Sequence, residues 1–175
     1  MQMRLSRTSL LAICYFLTVA LRAEDAPKAL PPTLQVPNGH VVLFKVEAKG
    51  VQIYKSAMGA NPKWVFEAPL ANLYDTDGKH VGRHYEGPTW ESIDGSKVKK
   101  PADEKPVSAD APNAKSDIPW LLIALKSDGD KAGVLSKAQY VQRIETKGGI
   151  MPVTPPTKAG ERAFVEYTAI YVFYN

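Results

Sequence analysis

Residues 84 to 96 read His84-Tyr85-Glu86-Gly87-Pro88-Thr89-Trp90-Glu91-Ser92-Ile93-Asp94-Gly95-Ser96. An imidazole, three carboxylates and an indole are set around two turn signals. Carboxyl groups whose surroundings push their pKa values apart can divide acid and base roles between them. A histidine beside them can carry protons near neutral pH. The stretch is thus the densest concentration of candidate chemistry in the chain. Its acids also have an ordinary explanation, because Asp and Glu beside glycine form and cap turns.

Metal ligation is the second chemistry the segment suggests, since His80 and His84 are four residues apart. On a helix that spacing places two imidazoles on one face, close enough to share a zinc or copper ion. Gly78, Gly82 and Gly87 oppose a helix here. On a strand the same spacing separates the two by roughly 13 Å. His40 is the only other histidine. No metal site is therefore expected. No serine lies in a Gly-x-Ser-x-Gly elbow, and neither a phosphate-binding glycine loop nor a dinucleotide fingerprint is present, so no cofactor is expected.

Aromatic binding is the third option. Trp64, Trp90 and Trp120 come from three segments, and indole faces suit sugars or other flat ligands, although aromatics also dominate hydrophobic cores. The reading that combines these observations is a ligand-binding site at His84, Trp90, Glu91 and Arg143. Trp90 would stack, His84 and Glu91 would recognise polar groups, and Arg143 would arrive from a distant strand to pair with an anion.

The N-terminus bears on where such a site would work. Arg4 and Arg7 precede an apolar run from Ser9 to Leu21, and Ala23 offers a cleavage point before Glu24, the layout of a secretory signal peptide over 1–23. Cys14, the only cysteine, falls inside that run. Its removal leaves no thiol chemistry and no disulfide. Loss of Arg4, Arg7 and Arg22 lowers the formal charge from +4 to +1. The basic character is thus largely the leader's, and a nucleic-acid partner loses its support. The chain is expected to be secreted or periplasmic, with a small molecule or glycan as its partner.

The remaining stretch of about 150 residues suits one domain. Residues 24–39 carry Pro27, Pro31, Pro32 and Pro37 and are expected to form an extended lead-in to a domain over 40–175. Strands are expected at Val41–Val46, at Val51–Tyr54 beyond the Lys49-Gly50 break, at Trp64–Phe66 and at Thr89–Ile93. Ala71–Tyr85 reads as a hairpin turning at Asp77-Gly78. Residues 97–117 hold three prolines and no hydrophobic period, so a mobile loop is expected there. Ile118–Leu125 reads as a buried strand or a short helix, with the flanking Pro119 and Gly129 favouring strand. Val134–Thr146 fits either period, and its β-branched and aromatic content favours strand. In the last strand Tyr167, Ala169, Tyr171 and Phe173 share one face. The fold expected is all-β, an antiparallel sandwich or barrel with a long loop.

Several ordered motifs carry a family resemblance. They are Gly50-Val51-Gln52-Ile53-Tyr54, Trp64-Val65-Phe66, His84-x-x-Gly87-Pro88-Thr89-Trp90-Glu91, Pro119-Trp120-Leu121-Leu122, Gln142-Arg143-x-x-Thr146-x-Gly148-Gly149 and Tyr167-Thr168-Ala169-x-Tyr171-x-Phe173-Tyr174. Together they resemble the domain-of-unknown-function family three-four-five-five, a secreted family of bacteria and fungi. The resemblance implies export and a single domain, and it supplies no catalytic residue. Two rivals stand beside ligand binding. One is a small secreted hydrolase using Glu91 or Asp94 with His84. The other is a structural envelope protein, with Trp90 buried against Trp64 or Trp120 and no polar pocket.

Overall fold

The computed structural model describes residues 30–57 and 62–175. The leader expected over 1–23, with Cys14, lies outside these residues. The described chain forms ten strands: β1 Val42–Ser56, β2 Trp64–Tyr74, β3 His80–Tyr85, β4 Thr89–Ser92, β5 Lys97–Lys99, β6 Val107–Ala109, β7 Trp120–Ala124, β8 Lys126–Ser127, β9 Tyr140–Gly148 and β10 Arg162–Tyr174. All pair antiparallel in one sheet, in the order β6-β7-β9-β10-β1-β2-β3-β4-β5-β8. The expected all-β single domain is thus one sheet that is not closed.

The sheet coils on itself. β10 and β3 are three strand steps apart, roughly 14 Å if the sheet were flat, yet the rings of Tyr171 and His84 lie 5.1 Å apart. The two ends of the sheet also meet through one stretch of chain. Trp120–Ala124 pairs with β9, and after Leu125 alone the chain pairs with β5 as β8. Coiling buries the inward faces of β1, β3, β4, β9 and β10 in a core containing Ala48, Trp90, Val141, Tyr171 and Phe173. Tyr167, Ala169, Tyr171 and Phe173 are all buried, as the alternation of the last strand predicts.

β1 is continuous where two strands are expected. Gly50 does not interrupt it. A Cβ at Gly50 would sit 2.1 Å from the Leu70 carbonyl oxygen and 2.5 Å from Ala71 Cα. Glycine is there because β2 crosses too close for a side chain. The Asp77-Gly78 hairpin forms as expected, with Gly78 at φ 76° and Asp75 Oδ1 accepting from the amides of Asp77 and Lys79.

Residues 97–117, expected to be a mobile loop, contain β5 and β6. Val98 is fully buried and Ala111 nearly so. Three-residue strands are too short to show a period. Val134–Lys137 forms a turn and only Tyr140–Gly148 is strand. The described part of the lead-in packs on the outer face of β7. Leu34, in a 3-10 turn over Pro32–Leu34, is fully buried in a second cluster with Ala111, Trp120 and Leu122. Gln142 Nε2 donates to the Leu34 carbonyl at 2.6 Å.

Candidate functional site

β3 and β4 place His84 and Trp90 directly opposite each other, both pointing inward. The rings stack with centroids 4.3 Å apart and planes 11° from parallel. Trp90 is fully buried, and Tyr171 and Phe173 from β10 meet it edge-on. No face of its indole is left for a ligand, so the stacking role expected of Trp90 falls to His84 as its partner. Of the other tryptophans, Trp64 Nε1 donates to the Thr154 carbonyl at 2.8 Å, and Trp120 sits in the outer cluster. The three do not line one cleft.

His84 borders a cavity of about 310 Å³. Its Nδ1 lies 2.9 Å from the Thr89 carbonyl oxygen. A carbonyl only accepts, so Nδ1 carries the hydrogen and Nε2 the lone pair. Burial lowers the His84 pKa to about 3, against the opposing pull of the Thr89 hydrogen bond and with a smaller contribution from the Arg143 charge. The ring is neutral at physiological pH and serves as an acceptor.

Arg143 reaches the same cavity from β9, where it lies in register with Tyr171 on one side and Leu121 on the other. Its Nε and Nη2 donate to the Pro119 carbonyl at 3.2 and 2.9 Å. This holds the guanidinium plane and leaves the rest of its donor fork uncommitted. No carboxylate among the described residues forms an ion pair with Arg143. Lys100, also in the lining, donates to the Pro101 and Glu104 carbonyls at 2.5 and 2.7 Å. Among the described residues the cavity has two cations and no acid in its lining.

Sequence reasoning missed the groups beside these. Gln52 on β1 and Tyr171 on β10 line the cavity, and Tyr167 neighbours both. The Tyr167 and Tyr171 hydroxyls lie near each other, near Gln52 and near Arg143. None of these approaches reaches hydrogen-bond geometry, and Gln52 Nε2 and both hydroxyls are buried without a partner among the described residues. Burial raises the pKa of both tyrosines, so both remain protonated donors. Tyr54 OH donates to the Gly149 carbonyl at 2.6 Å. Gly149 sits at φ 82°, where a Cβ would press on Ile118, Tyr167 and Gln52 at 3.0 to 3.1 Å. Gly149 is therefore glycine because it passes tightly behind this cluster, and Gly148 because a Cβ there would lie 2.5 Å from the Glu166 carbonyl oxygen.

Glu91 does not join them. Neighbours on a strand point to opposite faces, so Trp90 turns inward and Glu91 outward. Glu91 Oε2 accepts from Arg83 Nη2 at 3.1 Å and from Tyr85 OH at 3.0 Å. His80 is exposed and meets Tyr74 edge-on, and His40 Nδ1 contacts the Asn175 carbonyl oxygen. Among the described residues, no group of three or more His, Cys, Asp or Glu is placed to hold a metal ion.

Fold and site define a small antiparallel β domain, one coiled sheet around a buried aromatic stack, with a cationic cavity opening on one side. The chain belongs to the family described as protein of unknown function (DUF3455), which it matches over residues 37–175. No curated protein matches the chain, and neither does any solved structure.

Proposed function

We propose that this chain is an exported binding domain, secreted or periplasmic, for a small anionic molecule with a flat or apolar body. The site is the cavity between β1, β3, β7, β9 and β10. One observation carries the reading: Arg143 enters this cavity with part of its fork free, beside buried donors on Gln52 and Tyr171 that have no partner. Buried donors left unsatisfied cost free energy, and native proteins supply a partner for them. A planar guanidinium matches a carboxylate or phosphate. Ile118, Leu121, Ile123 and Phe66 supply apolar wall, and the volume falls in the range of small-molecule sites, about 300 to 1,000 Å³. His84 adds one acceptor for a ligand hydroxyl or N–H.

The rival readings lose their geometry. His84 borders one cavity, while Glu91 and Asp94 border another, so acid–base pairing of His84 with those carboxylates has no shared cleft. Trp90 is buried, as the structural reading requires, but against His84, Tyr171 and Phe173, and a polar pocket lies beside it.

The test is calorimetric titration with benzoate and with its uncharged counterpart benzyl alcohol, on the unmodified protein and on Arg143→Met. Benzoate is expected to bind at least tenfold more tightly than benzyl alcohol, and Arg143→Met is expected to abolish the difference. Equal affinity for the two probes, or a preference for benzoate that survives Arg143→Met, overturns the proposal.

A further inference from the structure

A second hollow of about 350 Å³ opens some distance from the first. On β1 the two are marked by Phe44 and Val46 for this hollow and by Gln52 and Tyr54 for the other, which spaces them by roughly 20 Å along an extended strand. The aromatic stack lies between them: Phe173 faces this hollow, Tyr171 and His84 face the first, and Trp90 touches all three.

Its chemistry is the reverse of the first cavity's. Phe44, Val46, Leu73, Val81, Leu135 and Phe173 line it with carbon. Two large apolar side chains stand exposed at its rim, Ile93 at 62 % and Val134 at 58 %. They come from separate turns and are held together by Asp94, whose Oδ2 accepts from the Val134 amide at 2.8 Å. Gly133 permits that clasp, since a Cβ there would lie 2.4 Å from Asp94 Oδ2. Exposed apolar side chains are ordinary singly, but paired and pinned over an apolar hollow they mark a binding surface.

The rim also constrains the ligand's charge. Glu91 is neutralised by Arg83. Asp75 and Asp94 pair with no cation among the described residues, and their oxygens accept from backbone amides. Among the described residues Lys45 is the one cation in the lining, and Lys131 lies over the neighbouring Gly95. An anionic head would meet two fixed carboxylates, whereas an uncharged molecule loses nothing there.

We infer that the hollow bounded by Ile93 and Val134 is a second binding site, independent of Arg143, that takes an uncharged apolar molecule such as a medium-length alkyl chain. Burial of apolar surface drives the binding, and the acidic rim selects against carboxylate amphiphiles.

The test follows methyl resonances of the protein during titration with 1-octanol and, at pH 7, with octanoate. Octanol is expected to shift the methyls of Val46, Leu73, Val81 and Leu135 saturably, and octanoate to bind there at least tenfold more weakly. Val81→Phe fills the hollow and is expected to remove octanol binding while the spectrum stays that of a folded protein. Ile93→Asp changes an exposed rim residue that the fold does not need, and is expected to weaken octanol binding at least threefold even if Val81→Phe does not fold. Arg143→Met is expected to leave octanol binding unchanged. Shifts that map to the Arg143 cavity, octanoate binding as tightly as octanol, or octanol binding unaffected by Ile93→Asp overturn the inference.

Discussion

The imidazole of His84 lies flat on the indole of Trp90, 4.3 Å between centroids, inside the coiled sheet. Each residue depends on the other. Trp90 covers the face of a histidine that has almost no contact with water, and His84 covers the one face of Trp90 that β10 does not. Replacing Trp90 by Ala removes a fully buried side chain from the centre of the aromatic stack. The expected cost is about 3 to 5 kcal/mol, the range for deleting a buried aromatic. Trp90→Phe is expected to cost less than half of this, because Trp90 Nε1 has no hydrogen-bond partner to lose. Urea unfolding of both variants checks the ordering. Equal losses would mean that the indole's volume is not what the site uses.

The same burial makes stability depend on pH. His84 is depressed to about 3 in the folded chain, against about 6.5 when unfolded. Between those values the unfolded chain binds a proton that the folded chain rejects. Stability from this group is complete above pH 6.5 and falls as pH drops toward 3, with a slope approaching about 1.4 kcal/mol per pH unit. Asp94, Asp117, Glu67 and Glu161 have lowered pKa values and contribute their own acid losses, but only near and below about pH 4. Urea midpoints between pH 7 and 5 therefore isolate His84. They are expected to fall in the unmodified protein and to stay level in His84→Phe, which keeps a ring on Trp90 and has nothing to titrate. A level profile in the unmodified protein would show that the imidazole is not held neutral.

How far the sequence exposes this arrangement depends on period. Tyr167, Ala169, Tyr171 and Phe173 alternate over a long strand, and their burial is legible at once. The fusion of two expected strands into β1 is not, because a glycine that breaks a strand and a glycine that admits a crossing strand look alike until the neighbour's position is known. Val98 and Ala111 belong to segments whose order comes from pairing with β4 and β7, and no local pattern announces it. At the site, His84 and Arg143 stand out in the sequence and do converge. Trp90 and Glu91 are adjacent in a strand and so face opposite ways, a constraint that local density of polar groups conceals. Gln52, Tyr167 and Tyr171 sit at inward positions where they read as core. Only their unmet hydrogen bonds, visible in three dimensions, distinguish them.

Gly82 offers a backbone test of the same stack. It precedes His84 by one inward position on β3, and a Cβ there would fall 2.3 Å from the Glu91 carbonyl oxygen. The obstacle is backbone of the adjacent strand, which cannot rotate away. Gly82→Ala is expected to force β3 from β4 and to cost about 1 to 3 kcal/mol, the usual range for overpacking. Tryptophan emission is expected to move to longer wavelength as water reaches Trp90. An unchanged midpoint and unchanged emission would show that the two strands tolerate the separation without disturbing the stack.

Asp94 holds the turn after β4 to the loop before β9, and its removal is expected to release that loop without unfolding the sheet. Its Oδ1 accepts from the Ser96 amide at 2.9 Å and the Ser96 hydroxyl at 2.6 Å, while Oδ2 accepts from the Val134 amide. Ser96 Oγ in turn accepts from the Leu135 amide at 3.2 Å. The Ser96 hydroxyl, then the Val134 and Ser96 amides, bring the carboxyl pKa down to about 2. A depressed carboxylate stabilises the fold above its ordinary pKa, and that contribution fades as pH falls through about 2. The group is exposed, so the global effect is small, and the measurable effect is local opening. In Asp94→Ala, amide hydrogen exchange at Ser96, Val134 and Leu135 is expected to accelerate at least tenfold near neutral pH, while amides of β1 and β10 keep their protection. Asp94→Asn retains one oxygen acceptor and is expected to fall between the two. Exchange at Val134 and Leu135 that does not change in Asp94→Ala would place the anchor of this loop elsewhere, in Leu135, which is buried in the main core.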